Sequence, residues 1–346
     1  MLNGAEIGVI IVGYRNPDDL AICLQALSAA SATPSFTVLI CENGGPAAFD
    51  DLVTRLSAAG APCEGPVDEP PGPTSGFARL RQLRLSGGHQ IVLAGEAPEN
   101  LGFAGGVNAW LRPLQAATDW SGVWILNPDT IPDRDALAEL VAYAAARGKG
   151  MVGSRAMYVD RPDVVRTRGL TWRKLAASVL GVDIYAPASL APDPDELEAR
   201  IDAPSGCSFY VTRECLTKIG LMEESYFLYY EDLDWGLRAK ACCGVGYAYR
   251  SVVPHVGGST IGTARARSKA SRLSVYLDFR NRMNFVRRNY PGWWAWTAIM
   301  ALAHSARFLL SGAGGNFISA LSGLRAGLMG ETGRPKWLEQ PGPSLS

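Results

Sequence analysis

Val123-Trp124-Ile125-Leu126-Asn127-Pro128-Asp129 gives the strongest structural signal in the sequence. An apolar run of this length, ended by Asn-Pro, is typical of a strand buried in a parallel sheet, and the aspartate follows the strand's carboxyl end. A second acidic signature, Glu231-Asp232, follows the aromatic run 226–230. An acid at a strand end can hold a divalent cation on a diphosphate, and a second acid across the pocket can take a proton from a hydroxyl. The two signatures therefore predict group transfer from a diphosphate-bearing donor to a hydroxyl.

Apolar runs alternate with helical patterns on both sides of this strand. Strands are predicted over 7–12, 36–41, 91–94, 123–126, 151–154 and 207–211, and helices over 18–30, 105–117, 134–147, 214–219 and 232–241. This order predicts an α/β fold with a mainly parallel sheet flanked by helices on both faces. The pattern turns helical from 268 onward, so we expect a catalytic domain over 1–265, a helical C-terminal region over 266–340 and a tail over 341–346. The Pro-rich segment 59–76 is predicted to be a loop.

Composition limits the possible partners. With 346 residues, 47% hydrophobic and 19% charged, the chain can bury a large core. Its 33 basic and 33 acidic residues cancel, which argues against nucleic acid as a partner. The seven cysteines are an odd number without CxxC spacing, which predicts buried reduced thiols rather than a zinc site.

Polar residues follow four of the predicted elements. Two of these signatures, Gly13-Tyr14-Arg15-Asn16 and Glu42-Asn43-Gly44, come after the first two strands, and the two acidic signatures complete the set. Ligands of open α/β sheets collect outside the carboxyl ends of the strands, so we expect the four to line one site. Any one of them alone is equally consistent with an ordinary loop.

A glycine-rich stretch runs from Asn100 to Asn108, with the sequence NLGFAGGVN. Its glycines allow backbone to approach a diphosphate, and the helix that starts there offers free N–H groups and the positive end of its dipole. The alternative is that the glycines serve only the geometry of a loop-to-helix turn. The stretch is not a P-loop, because GxxxxGK[ST] is absent.

Taken together, five motifs resemble the family 2 inverting glycosyltransferases, and most of all their rhamnosyltransferase-like branch. They are Ile10-Ile11-Val12-Gly13-Tyr14, Cys41-Glu42-Asn43-Gly44, the Asn100–Gly106 part of the glycine-rich stretch, Leu126-Asn127-Pro128-Asp129-Thr130 and Tyr230-Glu231-Asp232-Leu233-Asp234-Trp235. The resemblance extends over residues 6–290. It implies a GT-A (Rossmann-like) fold, a nucleotide-diphosphate sugar donor and a divalent metal, Mn2+ or Mg2+.

The resemblance also implies roles on the donor side. Asp129 would bridge metal and diphosphate, with Asn127 in place of the first acid of a DxD-like motif, and Glu42 would contact the base or ribose, where Asp is more usual. The full donor-binding set is Gly13, Tyr14, Glu42, Asn43, Asn100, Gly102, Phe103, Gly106, Asn127 and Asp129. His255 is implied as a further metal ligand or diphosphate contact, although a lone histidine is often only a structural hydrogen-bonding group.

On the acceptor side, Asp232 is implied as the general base for a single, inverting displacement. Its neighbours Glu231 and Asp234 are expected to raise its pKa by like-charge repulsion, although Asp234 is also well spaced for an i,i+4 pair with Arg238. Gly206, in Ala203-Pro204-Ser205-Gly206-Cys207, is expected to admit an acceptor sugar. Trp235 is expected to stack on a sugar ring, with core packing as the alternative.

Trp293 to Leu310 is the most apolar segment of the chain. His304 and Arg307 interrupt it before it reaches the roughly 20 residues of a spanning helix, so an interfacial or docking helix is predicted. The stretch before it carries an excess of basic residues, namely Arg265, Arg267, Lys269, Arg272, Arg280, Arg282, Arg287 and Arg288. With Trp293, Trp294 and Trp296 they favour contact with an anionic membrane surface over a merely solvated face.

The sequence therefore favours a metal-dependent inverting glycosyltransferase that acts on a cell-surface glycan or lipid-linked acceptor, with L-rhamnose as one candidate sugar. Residues 1–6 show no secretory signal, which predicts a cytoplasmic protein, peripheral on the inner face of the membrane. One rival is a sugar nucleotidyltransferase, which predicts a Gly-rich basic loop after the first strand. The other is a non-catalytic membrane scaffold that retains this fold.

Overall fold

A computed structural model of the chain describes residues 4–31, 33–65, 76–256 and 270–338. Several sequence predictions fall on residues outside these ranges. They are the loop prolines between 66 and 73, the residues that follow Val256, the domain boundary at 265, the basic residues at 265, 267 and 269, and the tail 341–346.

Strands and helices alternate through the first half of the chain. The strands are β1 (Ile7–Gly13), β2 (Phe36–Glu42), β3 (Cys63–Glu64), β4 (Arg79–Leu85), β5 (Ile91–Glu96), β6 (Gly122–Leu126), β7 (Met151–Tyr158), β8 (Val165–Thr167), β9 (Leu170–Arg173), β10 (Ser178–Gly181), β11 (Ser208–Thr212) and β12 (Val245–His255). The helices are α1 (Pro17–Ser28), α2 (Pro46–Ser57), α3 (Gly102–Gln115), α4 (Ala136–Arg147), α5 (Pro194–Arg200), α6 (Arg213–Ile219), α7 (Glu231–Cys242), α8 (Arg272–Asn289), α9 (Trp294–Leu310) and α10 (Gly314–Leu328).

One ten-stranded sheet forms the centre of the described structure, in the order β12-β7-β11-β6-β1-β2-β5-β4-β3, with β8 paired to β7. The strands β6, β1, β2 and β5 run parallel, as do β7 and β12, while β11 lies antiparallel between β6 and β7. The carboxyl ends of β1, β2 and β6 therefore meet at one edge, as the sequence predicts. The predicted α/β fold with a large, mostly parallel sheet is confirmed.

Apolar layers cover both faces of the sheet, and its central strands are therefore buried on both sides. One layer centres on Trp110 of α3 and Trp235 of α7, and the other on Leu24 of α1 and Leu140 of α4. The strand β4 was not predicted, because its sequence RLRQLRL alternates charged and apolar residues and contains no continuous apolar run. It pairs antiparallel with β5 near the edge of the sheet, where charged side chains can reach solvent.

The C-terminal helices pack tightly on one another and on the loop before α7. Gly323 and Gly327 let α10 approach the backbone of α8, since a Cβ at these positions would lie 2.2 Å from the carbonyl oxygen of Tyr276 and 2.6 Å from that of Arg280. The helix α8 carries buried polar side chains, among them Arg280 (1% exposed) and Arg282 (6% exposed). These two arginines, which the sequence suggested for a membrane surface, are held inside the protein instead.

Two further arginines of the basic stretch, Arg287 and Arg288, are also engaged by protein groups. Arg287 donates to the carbonyls of Gly327 and Leu328, and Arg288 pairs with Glu223 at 2.6 Å. In the part of the chain that the structure describes, no helix is both long and apolar enough to cross a bilayer.

Candidate active site

Glu42 lies at the end of β2 with its carboxylate fully buried. Its Oε1 accepts hydrogen bonds from the backbone N–H of Gly44 at 2.7 Å and of Arg15 at 3.0 Å. Burial raises the pKa of this carboxyl, and the two backbone hydrogen bonds oppose the shift. Its Oε2 has no hydrogen-bond partner among the described residues. A buried acceptor left open in this way fits a missing ligand group or water.

Gly13 makes room for this carboxylate. A Cβ at Gly13 would lie 2.8 Å from Glu42 Oε2, so any side chain there would displace the carboxyl group. Tyr14, the next residue, is 40% exposed, with the guanidinium of Arg15 5.3 Å from its ring centroid. Tyr14 is therefore exposed at this edge, and its donor-side role stays a prediction.

The glycine-rich stretch packs closely against neighbouring residues and leaves no open space beside its glycines for a ligand. Asn43 donates to the carbonyl of Gly102 at 2.9 Å, and its Oδ1 accepts from Leu101 N at 3.3 Å. Asn100 accepts from Gly102 N at 3.0 Å. A Cβ at Gly106 would lie 2.7 Å from Val12. The predicted donor contacts of Asn43, Asn100 and Gly106 therefore have a competing structural explanation.

Gly102 joins this stretch to the loop that carries the second acidic signature. It has φ of +71°, and a Cβ there would lie 2.1 Å from the carbonyl oxygen of Phe227. Phe103 N donates to the same oxygen at 2.9 Å, and its half-buried ring packs on the core beneath α3. The helix starts at Gly102 rather than at the predicted Gly105, and its first amides already have protein partners. The N–H groups of Gly102 and Phe103 are therefore hydrogen-bonded within the protein and are not left open for a diphosphate.

Asp129 and His255 meet at the ends of β6 and β12, although they are 126 residues apart in sequence. Nε2 of His255 lies 3.0 Å from Oδ1 of Asp129, and both side chains are 9% exposed. Burial opposes protonation of the imidazole, but the charges of Cys207 and Asp129 outweigh it and raise the pKa of His255 to about 9. The resemblance implied these two residues as metal ligands, and the fold brings them together.

The pair suits a divalent cation that is shared with a diphosphate. A carboxylate oxygen and an imidazole nitrogen are ligands for Mn2+ or Mg2+, and substrate oxygens and water complete such sites. Nδ1 of His255 is buried without a hydrogen-bond partner among the described residues. Those residues include no cluster of three or more His, Cys, Asp or Glu side chains arranged to hold a metal by themselves. Asn127 lies half-buried beside the pair, and its backbone N–H donates to the Cys207 carbonyl at 2.9 Å.

The second acidic signature begins α7. Glu231 is 4% exposed, and its Oε2 has no partner among the described residues. Burial, followed by the charge of Asp232, raises its pKa strongly. Asp232 is half-buried, and burial raises its pKa by less, because backbone N–H groups including those of Leu233 and Gly206 stabilise the carboxylate. Two carboxyls with separated pKa values indicate separate roles, with Asp232 ionised at lower pH than Glu231.

The adjacent residues Gly206 and Cys207 join the two acidic signatures in space. A Cβ at Gly206 would lie 2.5 Å from Oδ2 of Asp232. The Cys207 thiol is close enough to His255 that, despite its burial, the charge of that imidazole lowers its pKa. The carboxylate of Asp232 and the Asp129–His255 pair therefore border the same two-residue segment.

The structure bears on three expectations about the acceptor side. Gly206 makes room for the carboxylate of Asp232, and its expected contact with an acceptor sugar stays a prediction. Trp235 is fully buried and donates from Nε1 to the Gly220 carbonyl at 2.9 Å, so it belongs to the core. Burial is the largest cause of the raised pKa of Asp232, and the expected repulsion between the two neighbouring carboxyls is seen in the raised pKa of Glu231. The expected pair of Asp234 with Arg238 is confirmed at 3.2 Å.

Sequence reasoning missed the residues of α8 that hold the loop before α7. Nδ2 of Asn281 lies within 3.1 Å of the carbonyl oxygens of Tyr226, Leu228 and Tyr229. Nη2 of Arg280 donates to the Tyr226 carbonyl at 2.9 Å. The only signal in the sequence was a run of polar residues inside an otherwise apolar helical pattern.

Comparisons with known proteins bear on the family and the fold of the chain. Residues 71–284 match the family model described as glycosyltransferase like family 2. The low-salt glycan biosynthesis hexosyltransferase Agl10 of Haloferax volcanii is 23% identical over 201 residues, which are 58% of this chain and 62% of that protein. The aligned part thus spans less than two thirds of this relative.

Two solved structures share the fold. The mannosyltransferase PcManGT from Pyrobaculum calidifontis, in complex with GDP-Man and Mn2+, superposes with a TM-score of 0.52 at 14% identity, over 94% of this chain and 88% of that one. GalNAc-T7 with UDP, GalNAc and Mn2+ superposes with a TM-score of 0.51 at 12% identity, over 81% of this chain and 51% of that one. At such identities the likeness shows the GT-A fold alone. The family-model match covers more than half of the chain, and the chain therefore belongs to the family described as glycosyltransferase like family 2.

Proposed function

We propose that the protein is a metal-dependent inverting glycosyltransferase that moves a sugar from a nucleotide-diphosphate donor to a hydroxyl of a glycan or lipid-linked acceptor. The observation that supports the proposal is that Asp232 lies against Gly206, while the next residue, Cys207, lies beside His255, the partner of Asp129. The resemblance of the motifs favours L-rhamnose, from dTDP-rhamnose, as the first sugar to test.

In this proposal each acidic signature has one task. Asp129 and His255 hold the divalent cation, which would neutralise charge on the diphosphate leaving group. Asp232 accepts the proton of the acceptor hydroxyl as that oxygen attacks the anomeric carbon and the bond to the diphosphate breaks. A single displacement inverts the anomeric configuration. Glu231, with the higher pKa, stays protonated beside Asp232 and adds no second charge there.

The proposal is tested with purified protein, Mn2+ and a panel of dTDP-, UDP- and GDP-sugars. We expect release of nucleotide diphosphate from one donor, lost on chelation of the metal. Asp129→Ala should weaken metal-dependent nucleotide binding by on the order of tenfold or more, because a charged ligand is removed from a buried site. Asp119→Ala, a change of an exposed aspartate beyond α3, is the matched control and should leave binding unchanged.

Other outcomes of this experiment point to the rival functions. Consumption of a nucleoside triphosphate with a sugar phosphate, and no release from any nucleotide sugar, would indicate a nucleotidyltransferase. The absence of both release and metal-dependent nucleotide binding, with and without a lipid extract as acceptor source, would indicate a non-catalytic scaffold.

We further propose that α9 rests on an anionic membrane surface, where a lipid-linked acceptor would lie. One side of this helix is apolar and exposed, with Ile299 62% and Leu310 88% exposed. Nε1 of Trp296 donates to the carbonyl of Leu175, so the exposed Leu175 extends this apolar face. No acidic residue occurs from Trp294 to Leu328, and both arginines of that span, Arg307 and Arg325, are exposed. An apolar helix face with only positive charge around it matches anionic lipid.

Flotation with lipid vesicles tests this placement. The protein should float with vesicles that contain phosphatidylglycerol and remain behind with pure phosphatidylcholine. The double change Ile299→Gln and Leu302→Gln should reduce flotation several-fold, because it removes buried apolar area from the contact. Ile22→Gln, at an exposed apolar position on α1, is the control. Equal flotation of the double variant and the control would contradict the role of α9.

A further inference from the structure

A cluster of arginines and tyrosines lies beside the Asp129–His255 pair and has no role in the function proposed above. Tyr158, the last residue of β7, is the register partner of His255 on β12. Partnered residues of neighbouring strands project to the same face of a sheet, so Tyr158 lies next to His255. His255 also forms an isolated bridge with Thr130, which follows β6, so the local order runs from the end of β6 through His255 to Tyr158 and then to β8. The cluster therefore borders the candidate active site on the side away from β1 and β2. The nucleotide is expected at the ends of those two strands.

Arg161 is held between two aromatic rings. Tyr158 and Tyr185 stack with centroids 5.6 Å apart, and the Arg161 guanidinium lies 4.7 Å from each ring centroid. Its Nε and Nη2 are buried without a hydrogen-bond partner among the described residues. Leaving buried guanidinium N–H groups unpaired costs free energy. Stacking between the two rings fixes the orientation of the guanidinium, and its N–H groups remain available in the plane of the guanidinium.

Arg166 adds a second positive charge at this place. It lies opposite a register irregularity, since Val165 pairs with Met157 and Thr167 pairs with Ala156, which makes Arg166 the extra residue of a bulge. Bulges redirect a side chain and occur often next to active sites. The guanidinium lies 5.5 Å from the centroid of the Tyr158 ring, and its charge reaches Cys207.

Neither arginine is neutralised by a carboxylate in the described part of the chain. Asp160 and Asp163 are exposed in the same loop, yet none of the ion pairs among the described residues involves Arg161 or Arg166. Two guanidinium groups without carboxylate partners, one of them held between rings with unpaired donors, are suited to a phosphate.

We infer that Arg161 and Arg166 form a phosphate-binding subsite for the acceptor, which recognises the phosphate of a phosphorylated, lipid-linked glycan. This inference rests on the proposed function, because it takes the Asp129–His255 pair as the place of the donor diphosphate. A phosphate bound here would come either from the acceptor or from the donor. The position beyond His255, away from β1 and β2, favours the acceptor.

Calorimetric titration with matched probes separates these two sources. The protein is first saturated with nucleotide diphosphate and Mn2+, and is then titrated with farnesyl phosphate or, as the phosphate-free match, farnesol. Wild-type protein should bind farnesyl phosphate in preference to farnesol, and inorganic phosphate should compete with it. Arg166→Gln and Arg161→Gln should each weaken farnesyl phosphate binding about tenfold, as for loss of one charged hydrogen-bonding group. Arg173→Gln, at an exposed position on β9, should have no effect.

Four other outcomes overturn the inference. Equal binding of farnesyl phosphate by the wild type and both variants, no binding at all, or equal binding of farnesol would show that no phosphate subsite exists here. Weaker nucleotide binding in the variants, with farnesyl phosphate unaffected, would assign the arginines to the donor. Failure of the wild type to bind nucleotide with Mn2+ would count against the proposed function instead, and the titration with farnesyl phosphate alone would still test the subsite.

Discussion

Asp232→Asn is expected to lower the rate of sugar transfer by roughly 10²–10⁴-fold, the usual contribution of a general base. Oδ1 of Asp232 accepts from Leu233 N at 2.8 Å, and the carboxylate also accepts from the amide of Gly206. An asparagine of the same shape fits this position, but its amide cannot take a proton from an acceptor hydroxyl. The affinity for nucleotide diphosphate with Mn2+ should stay within about twofold, because Asp232 does not hold the metal in this proposal.

Glu231→Gln is the matched control for this prediction. Burial keeps Glu231 protonated to higher pH than its neighbour, so a neutral glutamine should preserve most of the activity. Loss of transfer in Glu231→Gln together with activity in Asp232→Asn would reverse the two roles.

The pH profile of the wild type is a second measurement on the same pair. Because burial raises the pKa of Asp232 to about 6, the carboxylate needed as a base is lost as pH falls through that value. Transfer should therefore fall on the acid side near pH 6 rather than near 4, the ordinary value for an aspartate.

The central sheet and its polar edge could be predicted because their signals are local. The apolar runs of β1, β2 and β6 are each followed at once by polar residues, and burial of a strand requires such runs. The meeting of Asp129 with His255 could not be worked out from spacing, because it depends on how β12 lies across the sheet from β6. It was implied only by the resemblance to a known family.

Predictions failed where the same residue type can serve either at a binding surface or in the protein core. Trp235 follows the acidic signature directly, yet on α7 it faces the core, and sequence alone does not distinguish a stacking platform from a core residue. The arginines of α8 looked like a membrane-facing charge cluster, but Arg280 and Arg282 are buried because the loop before α7 supplies their partners. Tertiary contacts of this kind leave no periodic signal in the sequence.

The loop before α7 adopts a backbone that requires external support. Phe227, Tyr229 and Tyr230 have φ of +65°, +71° and +77°. Non-glycine residues in this region are strained by about 1–3 kcal/mol each and persist only where the surroundings fix them. Asn281 is one source of that support, through its contacts with three carbonyl oxygens of the loop. The loop leads directly into Glu231 and Asp232, so α8 helps to place the base that the chemistry needs.

Asn281→Ala should therefore lower kcat by about tenfold or more and also destabilise the fold, because the carbonyls of Leu228 and Tyr229 would lose this donor, at about 1–3 kcal/mol for a buried carbonyl left unpaired. The Tyr226 carbonyl would keep its hydrogen bond from Arg280. The loss of kcat should appear at temperatures where the variant is still folded, and the affinity for nucleotide diphosphate should change little. Asn284→Ala, on the same helix, removes a hydrogen bond to Glu331 and leaves the loop untouched, so it should keep a near-normal kcat. Thermal unfolding and steady-state kinetics of both variants provide the measurement. A lower unfolding temperature with unchanged kcat in Asn281→Ala would show that α8 stabilises the protein without positioning Asp232.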